Sequence, residues 1–489
     1  MILSDYKNIY FLGIGGIGMS AIARWFKAQG FHVGGYDKTE TSLTSQLEAE
    51  GMDIHYDNKV GRIPTAFYKK AETLVVRTPA VPKDNVELQY FEAEKYILLK
   101  RSQVLGLLTE DLMTIAVAGT HGKTTTSSMI AHILQHAGAN VSAFLGGITT
   151  NYNSNLLIGK PTPKIDKMQN VPPFGKHLCV VEADEFDRSF LTLFPDIAVV
   201  TSMDADHLDI YGEHDELKKS FNQFISQIKI KGHLIVRKGL DYQVGKDKIT
   251  YVHEYSSYSN SPSQQEKGSG DEVFSNEINF SAHNIRTENA TFIFDYRAKT
   301  KEIKDIKLQI PGFHNVENAT AAINACILLE VPVELIKSGL ETFKGVKRRF
   351  EYIIKQDNLV YIDDYAHHPT EIEAFLKSVK ALYPNKKLTC IFQPHLYSRT
   401  RDFAEGFSKS LSLADQVLLM DIYPARELPI PGVDSAMLFK DIAAPEKTLV
   451  SKANLMEKVK ELELEIIVTV GAGDIDTFVE PIKNYLTRN

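Results

Sequence analysis

At 489 residues the chain is too long for one hydrophobic core and implies about three domains, and its 43% apolar and 24% charged content is that of a water-soluble globular protein. The 55 basic and 62 acidic residues leave a net charge of −7, which argues against a general polyanion binder. Three scattered cysteines (Cys179, Cys326, Cys390) form neither a disulfide framework nor a metal-ligand spacing. With no signal-like start and no run of transmembrane length, the expected address is a reducing, cytoplasmic one, with no nucleic acid and no membrane insertion.

In chain order, Asn8–Leu12 reads as a buried strand that runs directly into Gly13-Ile-Gly15-Gly16-Ile17-Gly18. A helix over Met19 to Gln29 and a second strand ending at Tyr36-Asp37 complete a βαβ opening with an acid about 20 positions beyond the glycines. That pattern places a nucleotide diphosphate on the helix start and leaves the nucleotide open. The unit continues through a strand at Thr73–Arg77, with Thr78 in the loop at its carboxyl end, and closes with Ile97–Leu99 and a helix over Ser102–Leu108.

The next stretch carries the strongest signal. Ile115–Val117 reads as a buried strand, followed by the small-residue turn Gly119-Thr120-His121-Gly122, then Lys123, Thr124 and Thr125 entering a helix. Strand, Gly-rich turn, Gly-Lys-Thr and helix form a phosphate-binding loop: backbone N–H groups face the phosphates, Lys123 adds a charge, and Thr124 offers its hydroxyl to Mg²⁺. The usual early glycine is displaced by one place, with Ala118 where glycine is the rule and Gly119 after it. A nucleoside triphosphate, ATP, is the expected ligand.

Beyond it, Thr149 to Lys176 reads as a surface loop or insertion. The strand Leu178–Val181 ends in Glu182, Asp184 and Glu185, where a Mg²⁺ ligand beside a phosphate loop is expected, and Glu182 is the candidate. Asp196–Thr201 runs into Asp204, Asp206, His207 and Asp209; His207 reads equally as a second ligand or a surface histidine. The Ser-, Gln- and Gly-rich stretch His253 to Glu272 reads as a mobile loop, and three alternating segments after it (278–282, 290–295, 306–310) read as antiparallel strands. Asn315 and Asn318 stand at the start of an Ala- and Ile-rich helix, where an amide caps or reads a base edge. The basic knot Lys347-Arg348-Arg349 marks a domain junction, and a third α/β pattern follows, with polar groups at the carboxyl ends of its strands: Asp363–His368, Gln393–His395 with Arg399 and Arg401, and Gly471–Asp474.

Together the segments Gly119–Thr126, Glu182-Ala-Asp, Asp206-His207, His314–Asn318 and Asp364–Pro369 resemble the Mur ligases. The segments Gly13–Ser20, Gly345–Phe350, Phe392–Asp402 and Tyr423–Glu427 resemble the branch that acts on the amino sugar itself. The resemblance implies an α/β protein of three domains: a Rossmann-like UDP-sugar domain over 1–110, a central ATP domain with a mostly parallel sheet over 111–345, and a Rossmann-like amino-acid domain over 346–489. It implies an ATP-dependent, peptidoglycan-building ligase that joins L-alanine to the lactyl carboxylate of UDP-N-acetylmuramate through an acyl phosphate, acting as monomer or homodimer.

The roles implied are residue by residue. Lys123, Glu182 and His207 are catalytic, and Thr124, Glu182 and His207 hold metal. Gly119, Thr120, His121, Gly122, Lys123, Thr124, Thr125, His314, Asn315, Asn318 and Arg349 bind ATP. Gly13, Gly15, Gly16, Ile17, Gly18, Asp37 and Thr78 bind the UDP-sugar. Tyr365, His367, His395 and Arg399 line the amino-acid site. The nearest alternative is a recycling ligase that adds a whole peptide to the same sugar, which should carry Glu-Pro-Arg-Ser where this chain has Gln393-Pro394-His395. A folate-type glutamate ligase should lack the first domain, and the first glycine motif taken alone also allows an NAD-dependent oxidoreductase.

Overall fold

The computed structural model describes residues 3–110, 112–160, 173–204, 211, 213–245, 250–257, 280–298, 301–425 and 427–488. The chain forms two compact units. One comprises the described residues up to Tyr255 together with Ala321–Gly339; the other comprises residues 256–257, Phe280–Thr320 and the described residues from Leu340 onward. Among the described residues no helix is long and apolar enough to cross a membrane.

The first unit contains two sheets. Strands β1 (Asn8–Leu12), β2 (His32–Tyr36), β3 (Asp53–His55), β4 (Thr73–Arg77) and β5 (Ile97–Lys100) form an all-parallel sheet in the order β3-β2-β1-β4-β5. Every residue of β1 is buried, as expected of a central strand covered on both faces. The second sheet takes β6 (Met113–Ala118), β7 (Val141–Thr149), β8 (Ser154–Leu157), β9 (Leu178–Glu182), β10 (Ile197–Val200), β11 (His233–Arg237) and β12 (Tyr251–Ser257) in the order β12-β11-β10-β6-β9-β7-β8. It is parallel except for the edge pair β7–β8. One apolar core runs through both sheets, from Phe11 and Phe26 to Val181, Phe190 and Phe221.

Two expectations are corrected here. The stretch expected to be loop from Thr149 holds strand β8, whose Asn155 is fully buried and donates to the Ile17 carbonyl at the start of the first helix. A buried amide with its partners 131 and 138 residues away leaves no periodic signature. The stretch expected to be mobile from His253 begins inside β12, where buried His253 bonds His233 of the neighbouring strand at 2.9 Å. Residues 258–272 of that stretch lie outside the described residues.

In the second unit β13 (Phe280–Glu288), β14 (Thr291–Arg297) and β15 (Glu302–Leu308) form an antiparallel meander, as the alternation of Phe292, Phe294 and Tyr296 demands. The first of these was expected from Ile278; residues 278–279 lie outside the described residues and the strand extends further, to Glu288. The C-terminal sheet has β16 (Glu351–Lys355), β17 (Val360–Asp364), β18 (Leu388–Phe392), β19 (Gln416–Met420), β20 (Glu446–Val450) and β21 (Ile466–Val470), ordered β16-β17-β21-β18-β19-β20. All its pairings are parallel except β16–β17. The strand order reverses between β17 and β18, with β21 between them, so the crevice outside their carboxyl ends is the place for a ligand.

The three cysteines are buried and free: Cys179 on β9, Cys390 on β18 and Cys326 in the helix Phe313–Leu328. Burial pushes the thiols of Cys179 and Cys390 up to about 12 and raises that of Cys326 as well.

Candidate active site

The glycine turn after β1 is held at both ends. The N–H groups of Gly13 and Ile14 donate to the Tyr36 carbonyl, and the Gly15 N–H donates to Asp37 Oδ2 at 2.7 Å. A Cβ at Gly15 would lie 2.6 Å from the Thr44 methyl and 2.9 Å from Asp37 Oδ2, so only glycine fits between them. Thr78 packs over Gly13 from the next strand, and Ile17 opens the helix Ile17–Ala28 with 37% of its surface exposed. All seven residues expected to hold the UDP-sugar thus cluster at one carboxyl edge. Asp37 spends one oxygen on fixing the turn itself.

The phosphate loop follows β6. Gly119 adopts φ +141°, and a Cβ there would lie 2.1 Å from Thr201 Oγ1, which explains why glycine sits one place later than usual: Ala118 is still the last residue of the strand. Its neighbours come from the end of β10, a support that sequence reasoning missed. Ser202 Oγ accepts the His121 N–H at 2.7 Å and pairs Thr120 Oγ1 at 2.9 Å, while Thr201 Oγ1 donates to the His121 carbonyl. Thr120 Oγ1 in turn accepts the Asp204 N–H at 3.1 Å. Lys123 opens the 14-residue helix Lys123–His136, with Thr124 and Thr125 buried in its first turn.

Lys123 Nζ lies 2.9 Å from Glu185 Oε1 and 2.7 Å from Oε2, and donates to the Gly119 carbonyl at 2.6 Å. Burial opposes its charge, but Glu185, Asp184 and Glu182 outweigh that and hold the ammonium well above its ordinary range. Glu182 ends β9 beside Val117 of β6 and accepts the Gly146 N–H at 2.9 Å. Its carboxylate and the Thr124 hydroxyl are hard oxygen donors of the kind Mg²⁺ takes. Among the described residues no three His, Cys, Asp or Glu side chains gather closely enough to bind a metal by themselves. His207 lies outside the described residues.

The second unit assembles the other expected residues. His314 is half-buried and its Nδ1 has no hydrogen-bond partner among the described residues; burial lowers its pKa to about 4, so the ring is neutral at physiological pH. Asn315 Nδ2 donates to the Pro311 carbonyl at 2.8 Å, and its oxygen accepts from Asn318 Nδ2 at 3.2 Å, so that amide chiefly shapes the helix start. The Arg349 guanidinium stands 5.2 Å from the Tyr365 ring centroid and 3.8 Å from Glu371, placing it among the amino-acid-site residues as well as near His314. Arg348, its neighbour, is instead a fold residue that pairs Asp363 at 3.0 Å and donates to the Gly471 carbonyl at 2.7 Å.

Tyr365, His367 and His395 form a chain of ring contacts, with centroids 5.4 and 6.3 Å apart, and His395 stacks on Tyr423 at 5.8 Å. Glu371, which the sequence marks only as a helix opener, accepts the His367 N–H at 3.0 Å and closes a capping box with His368. Arg399 is buried in the short helix Tyr397–Asp402 after β18, on the crevice side of the sheet. Asp364 is a structural acid. It accepts the N–H groups of Phe350 and Ala366, both at 2.7 Å, and burial lifts its carboxyl to about 6.

Comparison with known proteins agrees with this architecture. Residues 8–112 match the Mur ligase family, catalytic domain; residues 117–326 match the Mur ligase middle domain; residues 348–475 match the Mur ligase, glutamate ligase domain. A protein of Cytophaga hutchinsonii named UDP-N-acetylmuramate–L-alanine ligase is 48% identical over 99% of this chain and 97% of its own. One of the same name from Flavobacterium psychrophilum is 49% identical over 99% of each. The crystal structure of a UDP-N-acetylmuramate-alanine ligase from Thermotoga maritima superposes with a TM-score of 0.75 at 27% identity, covering 99% of this chain and all of that one. Two glycine turns on parallel sheets, a third α/β sheet with its own polar crevice, and matches spanning nearly the whole length mark this chain as a member of the Mur ligase family.

Proposed function

We propose that the protein is an ATP-dependent ligase that joins L-alanine to the lactyl carboxylate of UDP-N-acetylmuramate, a step in building peptidoglycan precursors in the cytoplasm. The observation that carries this reading is the end-to-end likeness, at 48–49% identity, to ligases named for that reaction. The local chemistry supports it. The three modules are 1–110 for the UDP-sugar, 111–345 for ATP and 346–489 for the amino acid, a division supported by the three family segments.

The reaction has two steps. A carboxylate oxygen attacks the γ-phosphorus, the bond to the bridging oxygen of ADP breaks, and an acyl phosphate results. The alanine amine then attacks the acyl carbon, phosphate leaves, and the amine proton passes to solvent. Lys123 and the backbone N–H groups of Gly122–Thr125 offset the negative charge on the transferring phosphoryl group, while the N–H groups of Thr120 and His121 are held by Ser202. Thr124 and Glu182 would hold Mg²⁺, and His207 would stand by a second ion near the acyl carboxylate; bound there, the metal would supply further charge neutralisation. His314, with Asn318 and Arg349, receives the adenosine end, the unpartnered Nδ1 being suited to a base edge. Arg399 pairs the alanine carboxylate in bidentate fashion, and Tyr365, His367 and His395 line the space around the small side chain. The residues Gln393-Pro394-His395 favour a free amino acid over the whole peptide taken by a recycling ligase.

One assay tests the reading: phosphate release with UDP-N-acetylmuramate, ATP and Mg²⁺, screened over single amino acids and a tripeptide. Release that depends on L-alanine together with the sugar is the expected result; release with the tripeptide instead, or with neither, refutes it.

A further inference from the structure

Glu185 has no assigned part in the reaction above, yet its carboxylate lies against the residue on which the phosphate loop depends. Its side chain is wholly buried, and both its oxygens lie within 2.9 Å of Lys123 Nζ. The carboxylate is planted on a rigid support. The Glu185 carbonyl accepts the Tyr211 hydroxyl at 2.6 Å and the Arg188 N–H at 2.9 Å. Asp184 Oδ1 accepts the Phe186 N–H at 3.1 Å, and the turn Phe186–Thr192 is anchored by Phe190, which stacks on Phe224 at 5.1 Å and meets Phe221 edge-on at 5.3 Å. The backbone that carries the Glu185 side chain is therefore held in place.

An ammonium has three donors. As placed, Lys123 donates to Glu185 Oε1 and to the Gly119 carbonyl, and its ammonium lies 2.7 Å from Glu185 Oε2. The terminal phosphates of a nucleotide need the same donors. We propose that Glu185 is a positioning residue for the reaction: a fixed carboxylate that holds Lys123 across the mouth of the phosphate loop and competes with nucleotide phosphate for its ammonium. ATP binding is then an exchange of one anion for another. Glu185 keeps the lysine extended across the phosphate loop and weakens ground-state nucleotide affinity in return, which is how binding energy is held back for the chemical step. This inference rests on the ATP-binding role proposed above for Lys123.

The test is nucleotide affinity measured by calorimetry with ATP and magnesium chelated, which removes any effect of a lost metal ligand. Glu185→Gln keeps an acceptor of the same shape but removes its charge. It is expected to bind ATP about tenfold more tightly, the equivalent of one charge-assisted hydrogen bond no longer competing, while kcat falls and the KM for the UDP-sugar stays in place. Asp184→Asn is the control for bulk charge. It removes an anion next door that is not hydrogen-bonded to Lys123 and is expected to tighten ATP binding clearly less than Glu185→Gln does, because its attraction for the ammonium acts at longer range. Unchanged or weaker ATP binding in Glu185→Gln, or equal tightening in both variants, overturns the proposal. If the parent protein itself fails to bind ATP, the phosphate-loop reading has failed rather than the role of Glu185.

Discussion

Glu87 offers the sharpest physical test in the first domain. It is fully buried beneath β1, where the Tyr10 hydroxyl donates to Oε2 at 2.6 Å and His55 Nε2 stands 3.4 Å from Oε1. The Lys59 N–H also points at it, Tyr36 and Tyr68 lie near, and Arg62 and Asp57 face the far side of His55. Burial dominates and lifts the carboxyl from 4.5 to about 7. Because the folded value is raised, the folded protein binds the extra proton more readily than the unfolded chain does between those two values. The stability it gives is therefore complete below pH 4.5 and is lost as pH rises through 7. At about 1.4 kcal/mol per pH unit, the ionised group costs the fold roughly 3 kcal/mol at pH 8.

Glu87→Gln keeps the acceptor for Tyr10 and removes the charge. We expect the variant to be more stable than the parent by about 2–3 kcal/mol at pH 8, with the gap closing toward zero at pH 4.5. Burial also lowers the pKa of His55, which adds an acid-side loss of stability of its own. The assay is denaturant unfolding followed through Trp25, the only tryptophan, which sits in the helix Ile17–Ala28 of the same domain. A gap independent of pH, or a variant less stable at pH 8, refutes the reasoning.

Other outcomes follow from the site. Lys123→Ala should abolish ATP turnover while UDP-sugar binding survives, and it should also lower the melting temperature, because it strands the buried Glu185 charge at a cost of about 3 kcal/mol. Adding Glu185→Gln to that variant should restore the melting temperature but not the turnover; recovered turnover would remove Lys123 from the chemistry. Arg399→Ala should raise the KM for alanine by about tenfold or more with little effect on that for ATP, and equal effects on both would argue against its carboxylate role. Gly119→Ala should eliminate ATP binding and destabilise the fold by about 2 kcal/mol or more, given its backbone angle and the Thr201 hydroxyl in the way; a variant that titrates normally with ATP contradicts that geometry.

Much of this was legible in the sequence for a definite reason. The turns at Gly13–Gly18 and Gly119–Lys123 are written in backbone requirements that only glycine meets, and the strands feeding them are continuous β-branched runs. Polar residues at strand ends, such as Glu182, Tyr365 and Arg399, could be assigned to a sheet edge without coordinates. What stayed hidden is held by contacts between residues distant in sequence. Ser202 bracing His121, Glu185 facing Lys123 and Asn155 bonding Ile17 are partnered across 81, 62 and 138 positions, and none has a local pattern. Strand β8 escaped notice because its buried positions include an amide.

The burial of all three thiols turns them into built-in timers. Each sulfur is sealed and protonated at neutral pH, so an alkylating reagent can mark it only during a transient opening of the structure around it. Cys179 times the central sheet, Cys390 the C-terminal sheet and Cys326 the helix Phe313–Leu328. Peptide-resolved labelling of the natural protein would then rank the breathing rates of these regions without a single engineered probe, and substrates that tighten one sheet would slow its clock alone.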